Sequence, residues 1–233
     1  MSPLSPEMIG QMLLLLPVFL LSLTVHEYAH ARTALAFGDP TAKNMGRVSF
    51  NPLRHLDLVG TLVLVLTRMI GWAKPVPVNP NNLHPRRLGD IVVSVAGPLS
   101  NFGIAVVAGL LLKVLLAMEI APDTAFLKAL YTMLLYTMIA NFALMLFNML
   151  PLFPLDGHHV ARELLPGNLQ GEFMHWQMRY GRIILAVVIL GPGLAEMVLN
   201  KPVFDPIGFA RGHLMGQAIR LMGLEKLHEY FWL

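Results

Sequence analysis

Between Ile9 and Phe37 the chain carries only two charged residues, Glu27 and Arg32. That run exceeds the roughly 20 residues needed to cross a hydrocarbon core, and it leaves few folds open. In lipid every backbone polar group must be satisfied within the segment, so a single spanning stretch is helical. Runs at 91–118, 126–150 and 183–199 are of the same kind, each holding one charged residue. Composition agrees, with 55% hydrophobic and 13% charged residues, against about 25% charged in a soluble domain. The chain reads as an all-α polytopic membrane protein, a bundle of about four to six transmembrane helices. The N-terminus has no basic n-region and its apolar run is too long for a signal-peptide core, so it reads as a first spanning helix.

These runs place a core at 1–200, with helices at 9–37, 91–118, 126–150 and 183–199. Between the first two lies "VGTLVLVLTRMIGW", apolar, rich in β-branched residues and about half a spanning length. It predicts a re-entrant hairpin or membrane-associated strands, tolerated only where protein or water covers the backbone. "AKPVPVNPNNLHPRR" follows as an extended, proline-punctuated loop. The tail, 201–233, is amphipathic and is expected to lie along the interface or pack back on the bundle.

The formal charge is +3. Basic loops at 38–57 and 73–90 are cytoplasmic by the positive-inside rule, whereas the turn 118–125, with Glu119 and Asp123, is external. The N-terminus is then external and the loop 157–182 cytoplasmic. The expected location is a bacterial cytoplasmic membrane, with the lipid bilayer as a partner. No Lys/Arg-rich stretch alternates with aromatic residues, which excludes nucleic acid as a partner. The chain has no cysteine, so a metal here would be held by His, Asp or Glu.

Ionisable groups inside a span are costly unless they share a job. "HEYAH", residues 26–30, places three of them in the cytoplasmic half of the first helix. On a helix His26 and His30 lie one turn apart on one face and can reach a single ion, while Glu27 can face the ion's water without being a ligand. A catalytic zinc takes three protein ligands and leaves a position for water. Asp156 in "FNMLPLFPLDGHHV" lies at matching depth, after Pro151 and Pro154 interrupt the helix. The competing reading is that Asp156 N-caps the helix "GHHVARELL". A non-enzymatic metal-binding membrane protein or metal transporter is the alternative function; it would need a polar path through both leaflets, and the intramembrane charge lies toward one side.

"HEYAH" in the first helix and "NMLPLFPLDG" of the form N-x-x-P-x-x-x-L-D-G resemble the site-2 protease family of intramembrane zinc metalloproteases. "GWAKPVPVNP" and "AGPLSN" resemble its compact bacterial members, and the similarity covers roughly residues 10–190. The resemblance implies one catalytic zinc held by His26, His30 and Asp156, with Glu27 as general base. It also implies that Asn148 and Asn101 hold the substrate or stabilise the oxyanion. The family's small membrane-associated β-rich element would correspond to about residues 44–80. The substrates would be transmembrane proteins or peptides, unwound locally and held by strand addition to an edge in that region. The sequence departs from the family in reading Gly157-His158-His159 where a second glycine is frequent. Those histidines are expected to face solvent at a helix start. The chain also leaves no room for the PDZ or CBS domain that many relatives carry. His55, His84, His175, His213 and His228 read as loop or tail residues without chemistry.

Overall fold

The computed structural model describes residues 6–67 and 72–199, with scattered tail positions at 212–213, 216–217, 219–220, 222–224 and 227. Most of the expected 201–233 tail, including His228, lies outside the described residues. α1 spans Pro6–Ala36, α2 Thr41–Asn44, α3 Leu58–Thr67, α4 Arg86–Ala117 and α5 Ala125–Asn148. α6 spans Gly157–Leu164 and α7 Gly167–Trp176; a π-helical turn, Gln177–Gly181, then leads into α8, Arg182–Leu199. Among the described residues three stretches are long and apolar enough to cross a membrane, Leu13–Ala36, Arg86–Ala117 and Ala125–Asn148. At 18 residues, α8 is about 27 Å long and occupies the place of the fourth expected span.

α4 is the central helix, packing on α1, α5 and α6. Ala108 and Leu112 of α4 meet Tyr131, Leu135 and Met138 of α5 in a buried cluster that also takes in Ile219, Leu224 and Leu227. Ile219, Leu224 and Leu227 of the tail therefore pack back on the bundle. Leu21, Val107, Leu110, Val114 and Val187 are exposed large apolar residues, the outward surface that a bilayer covers.

No strand occurs among the described residues; residues 56 and 73 form an isolated antiparallel bridge. The β-rich element expected over 44–80 is corrected accordingly: its apolar centre is the helix α3, with 68–71 outside the described residues. A short apolar run carries no periodicity that separates strand from helix, and a helix satisfies its own backbone where no partner strand is present. The deciding signal is Asp57, whose Oδ1 accepts from Gly60 N–H at 2.7 Å, an N-cap bond. Lys74 N–H donates to His55 O at 2.8 Å, closing the excursion at its base.

α1 ends where Gly38 adopts φ +99°. Gly38 and Asp39 N–H groups donate back to Leu35 O and Ala34 O, a Schellman closure that suits glycine. Asp39 then ties the proline-rich loop to this helix end. Its carboxylate accepts from the Thr41 hydroxyl and N–H, the Asn79 N–H and the Asn82 amide. Burial raises the Asp39 carboxyl, but these donors together hold it below the usual carboxylate range.

Candidate metal centre

His26 and His30 stand one turn apart on α1, and both are buried. Their Nε2 atoms lie 3.0 Å apart. Asp156 Oδ2 is 3.2 Å from His26 Nε2, and Asp156 Oδ1 is 3.3 Å from His30 Nε2. The ligand atoms of this trio all fall within 4.8 Å of one another. A tetrahedral ion with bonds of about 2.0–2.1 Å separates its ligand atoms by roughly 3.3 Å, close to the spacing seen.

The donor set fits a cation on a second ground. Each ring spends Nδ1 on an oxygen, His26 on Asn101 Oδ1 at 2.5 Å and His30 on Val93 O at 2.7 Å. With both protons on Nδ1, the two Nε2 lone pairs and the Asp156 carboxylate converge with no donor among them. Asp156 Oδ2 is buried and has no hydrogen-bond partner. Converging electron pairs in a buried site call for a positive charge.

Asp156 does stand at the N-cap position of α6, yet its side chain makes no capping hydrogen bond. Its carboxylate is turned to the two histidines instead. The loop before it is fastened by Gln177 of the π turn, whose Oε1 accepts from Phe153 N–H at 2.9 Å and whose Nε2 donates to Pro151 O at 2.7 Å. The helix after it is fastened by Arg162, which pairs with the buried Asp90 of α4 and with Glu163 at 2.8 Å.

α4 reaches the site because residue 97 is glycine. A Cβ there would run into His30 Nε2 and lie 2.6 Å from His26 Cε1. Glu27 is buried beside the histidines, and its Oε2 accepts from Val76 N–H at 2.8 Å. Val76 sits between Pro75 and Pro77, in the stretch that Arg47 holds by donating to Lys74 O.

The structure thus brings His26, His30 and Asp156 together, with Glu27 next to them on α1. Asn101 is fully buried and divides its amide between His26, Asn141 and Ser22. Asn148 donates to Leu144 O within its own helix at 3.0 Å. His158 does not face solvent as expected. It is buried, with Nδ1 on Leu155 O at 2.5 Å and its ring edge-on to Phe153. Burial lowers it to about 4, helped by the charge of His159, so its side chain is neutral and packed. His159 is partly exposed, 3.6 Å from Asp90 Oδ2. His55 is buried on Ser49 O at 2.7 Å, and His84, His175 and His213 are exposed.

Sequence reasoning missed Ser22, Gly97, Asn141, Asp90, Arg162 and Gln177. Asn141 and Asp90 carried a usable signal, being polar groups inside otherwise apolar helices.

Fold and site together define a helical membrane protein with a largely buried His–His–Asp cluster able to hold a metal ion. Comparison with known proteins makes this more specific. The chain is 39% identical over 173 residues to a Bacillus subtilis protein named "Putative zinc metalloprotease YwhC", covering 74% of this chain and 78% of that one. It is 27% identical over 190 residues to "Putative zinc metalloprotease Rip2" of Mycolicibacterium smegmatis, covering 80% of this chain and 70% of that one. The chain belongs to the zinc metalloprotease family of these relatives. No protein-family model matches it, and no solved structure matches it.

Proposed function

We propose that this protein is an intramembrane zinc metalloprotease of the site-2 type, hydrolysing peptide bonds within or near the transmembrane segments of other membrane proteins. The observation that carries the reading is the buried convergence of His26 Nε2, His30 Nε2 and the Asp156 carboxylate, with Glu27 beside them and the site built between α1, α4 and α6. A zinc ion held there supplies an acidified water and a polarised scissile carbonyl. Glu27, anchored through Oε2 on Val76 N–H, has Oε1 to take a proton from the attacking water as oxygen bonds to the carbonyl carbon. As the C–N bond breaks, Glu27 returns that proton to the leaving amine. A helix hides its peptide bonds in its own hydrogen bonds, so a transmembrane substrate unwinds locally before attack. Basic loops at 38–57 and 73–90 support a site toward the cytoplasmic face of a bacterial cytoplasmic membrane. Oxyanion stabilisation is assigned to Asn148.

The test compares wild type with Glu27→Gln in detergent or lipid, for zinc content and for cleavage of a transmembrane model substrate. Equal zinc is expected, with cleavage reduced about 100- to 10,000-fold in the variant. Cleavage that survives the substitution would overturn the proposal.

A further inference from the structure

A line of buried polar side chains joins three helices behind His26. Ser22 of α1, Asn101 of α4 and Asn141 of α5 are each 0% exposed, and one fixed end sets the direction of every hydrogen bond between them. That end is the main-chain carbonyl of Thr137, 2.8 Å from the Asn141 side chain. A carbonyl only accepts, so the atom facing it is the Asn141 amide nitrogen. The same nitrogen donates to Ser22 Oγ at 2.8 Å, and the Ser22 hydroxyl is spent on Val18 O at 2.6 Å. Asn141 Oδ1 therefore faces Asn101 and is met by Asn101 Nδ2 at 2.7 Å. This leaves Asn101 Oδ1 for His26, 2.5 Å from Nδ1. An oxygen at that point requires a proton on Nδ1, which in the neutral ring leaves the lone pair on Nε2.

We propose that Asn141 is a positioning residue of the metal centre: acting through Asn101, it fixes His26 as the Nδ1–H tautomer, so that Nε2 is presented bare before any ion arrives. The inference rests on reading His26 as a ligand. It also identifies what the amides oppose. An Nε2–H on His26 would find an acceptor 3.2 Å away in Asp156, so the carboxylate favours the tautomer that cannot bind metal. His30 solves the same problem in one step, with Nδ1 on the main-chain carbonyl of Val93. His26 has no such carbonyl and borrows Thr137 O through two side chains.

The test reads the tautomer directly. Metal-stripped protein carrying nitrogen-15 histidine is studied by NMR in lipid nanodiscs, with the His26 signals identified by their loss in His26→Gln. Wild type is expected to show a protonated Nδ1 and a bare Nε2. Asn141→Leu is expected to gain the Nε2–H form and to bind zinc at least about tenfold more weakly, a loss that disappears in a His26→Ala background. An Nε2–H tautomer in wild type overturns the proposal, and so does wild-type tautomer and affinity in Asn141→Leu. A loss of affinity that persists undiminished in the His26→Ala background overturns it too, making Asn141 a packing residue only. Wild type that binds no zinc would instead overturn the ligand reading, and the tautomer measurement would still decide the donor chain.

Discussion

Gly97 shows how much of the centre depends on one missing methyl group. Its backbone lies where any Cβ would strike His30 Nε2 and crowd His26 Cε1, and the imidazoles cannot retreat because each is tied through Nδ1. Gly97→Ala should therefore push at least one ring off its ligand direction and weaken zinc binding about 10- to 100-fold, as loss of a supporting contact does. Gly103, on the same helix, has open space around its Cβ position, so Gly103→Ala should leave zinc affinity unchanged. Competition with a chromophoric chelator measures both, and equal losses would show that α4 tolerates no added methyl anywhere rather than that residue 97 is special. His26, Glu27 and His30 were legible from the sequence because ionisable groups in an apolar helix need a shared purpose. Gly97 was not legible, since a glycine's value lies in what would collide with it, which only the packed helices define.

At the scale of elements, the third candidate ligand is delivered by a short helix held from outside. α6 is eight residues long, too short to be stable by itself, and the Asp90–Arg162 pair pins it to α4. Removing either charge is not equivalent. Without Asp90, Arg162 keeps Glu163; without Arg162, the buried Asp90 and Glu163 both lose their guanidinium. Stranding buried charge in this way costs about 3–5 kcal/mol, with the lower end apt here because Arg162 retains some solvent contact. Arg162→Ala should accordingly destabilise the protein by about 3 kcal/mol and Asp90→Ala by clearly less, measured by thermal unfolding in micelles; equal costs would show that Glu163 is no substitute partner. The spanning helices were legible from apolar length alone, and the Asp156 carboxylate from its depth. The β-branched composition around α3 points to strand, while Asp57, the cap that starts the helix, has the sequence context of an ordinary loop carboxylate. Gln177 was hidden for a different reason: a glutamine that fastens a loop 24 residues upstream has no local pattern to betray it.

At the scale of the whole molecule, residues 26 and 30 and residue 156 come from distant parts of the chain, so an ion held by them would tie α1 to the α5–α6 connection. Binding that exists only in the folded state adds stability by mass action, about 2.7 kcal/mol when free metal is 100-fold above its Kd. Chelation should lower the Tm of the zinc-loaded protein and added zinc should restore it, whereas Asp156→Ala should show no such response; a Tm indifferent to chelator would mean that the trio binds no ion in the fold. The stretch through Val76 has a further consequence. Along an extended chain, successive residues turn their N–H and C=O to opposite sides, and Val76 turns its own toward Glu27. The opposite side belongs to Pro75 and Pro77, which have carbonyls but no N–H. That rim is a pair of carbonyls with nothing to give in exchange, so two copies of the protein meeting there would repel rather than zip together, and a partly exposed extended segment beside the Glu27 carboxylate is made safe against self-association.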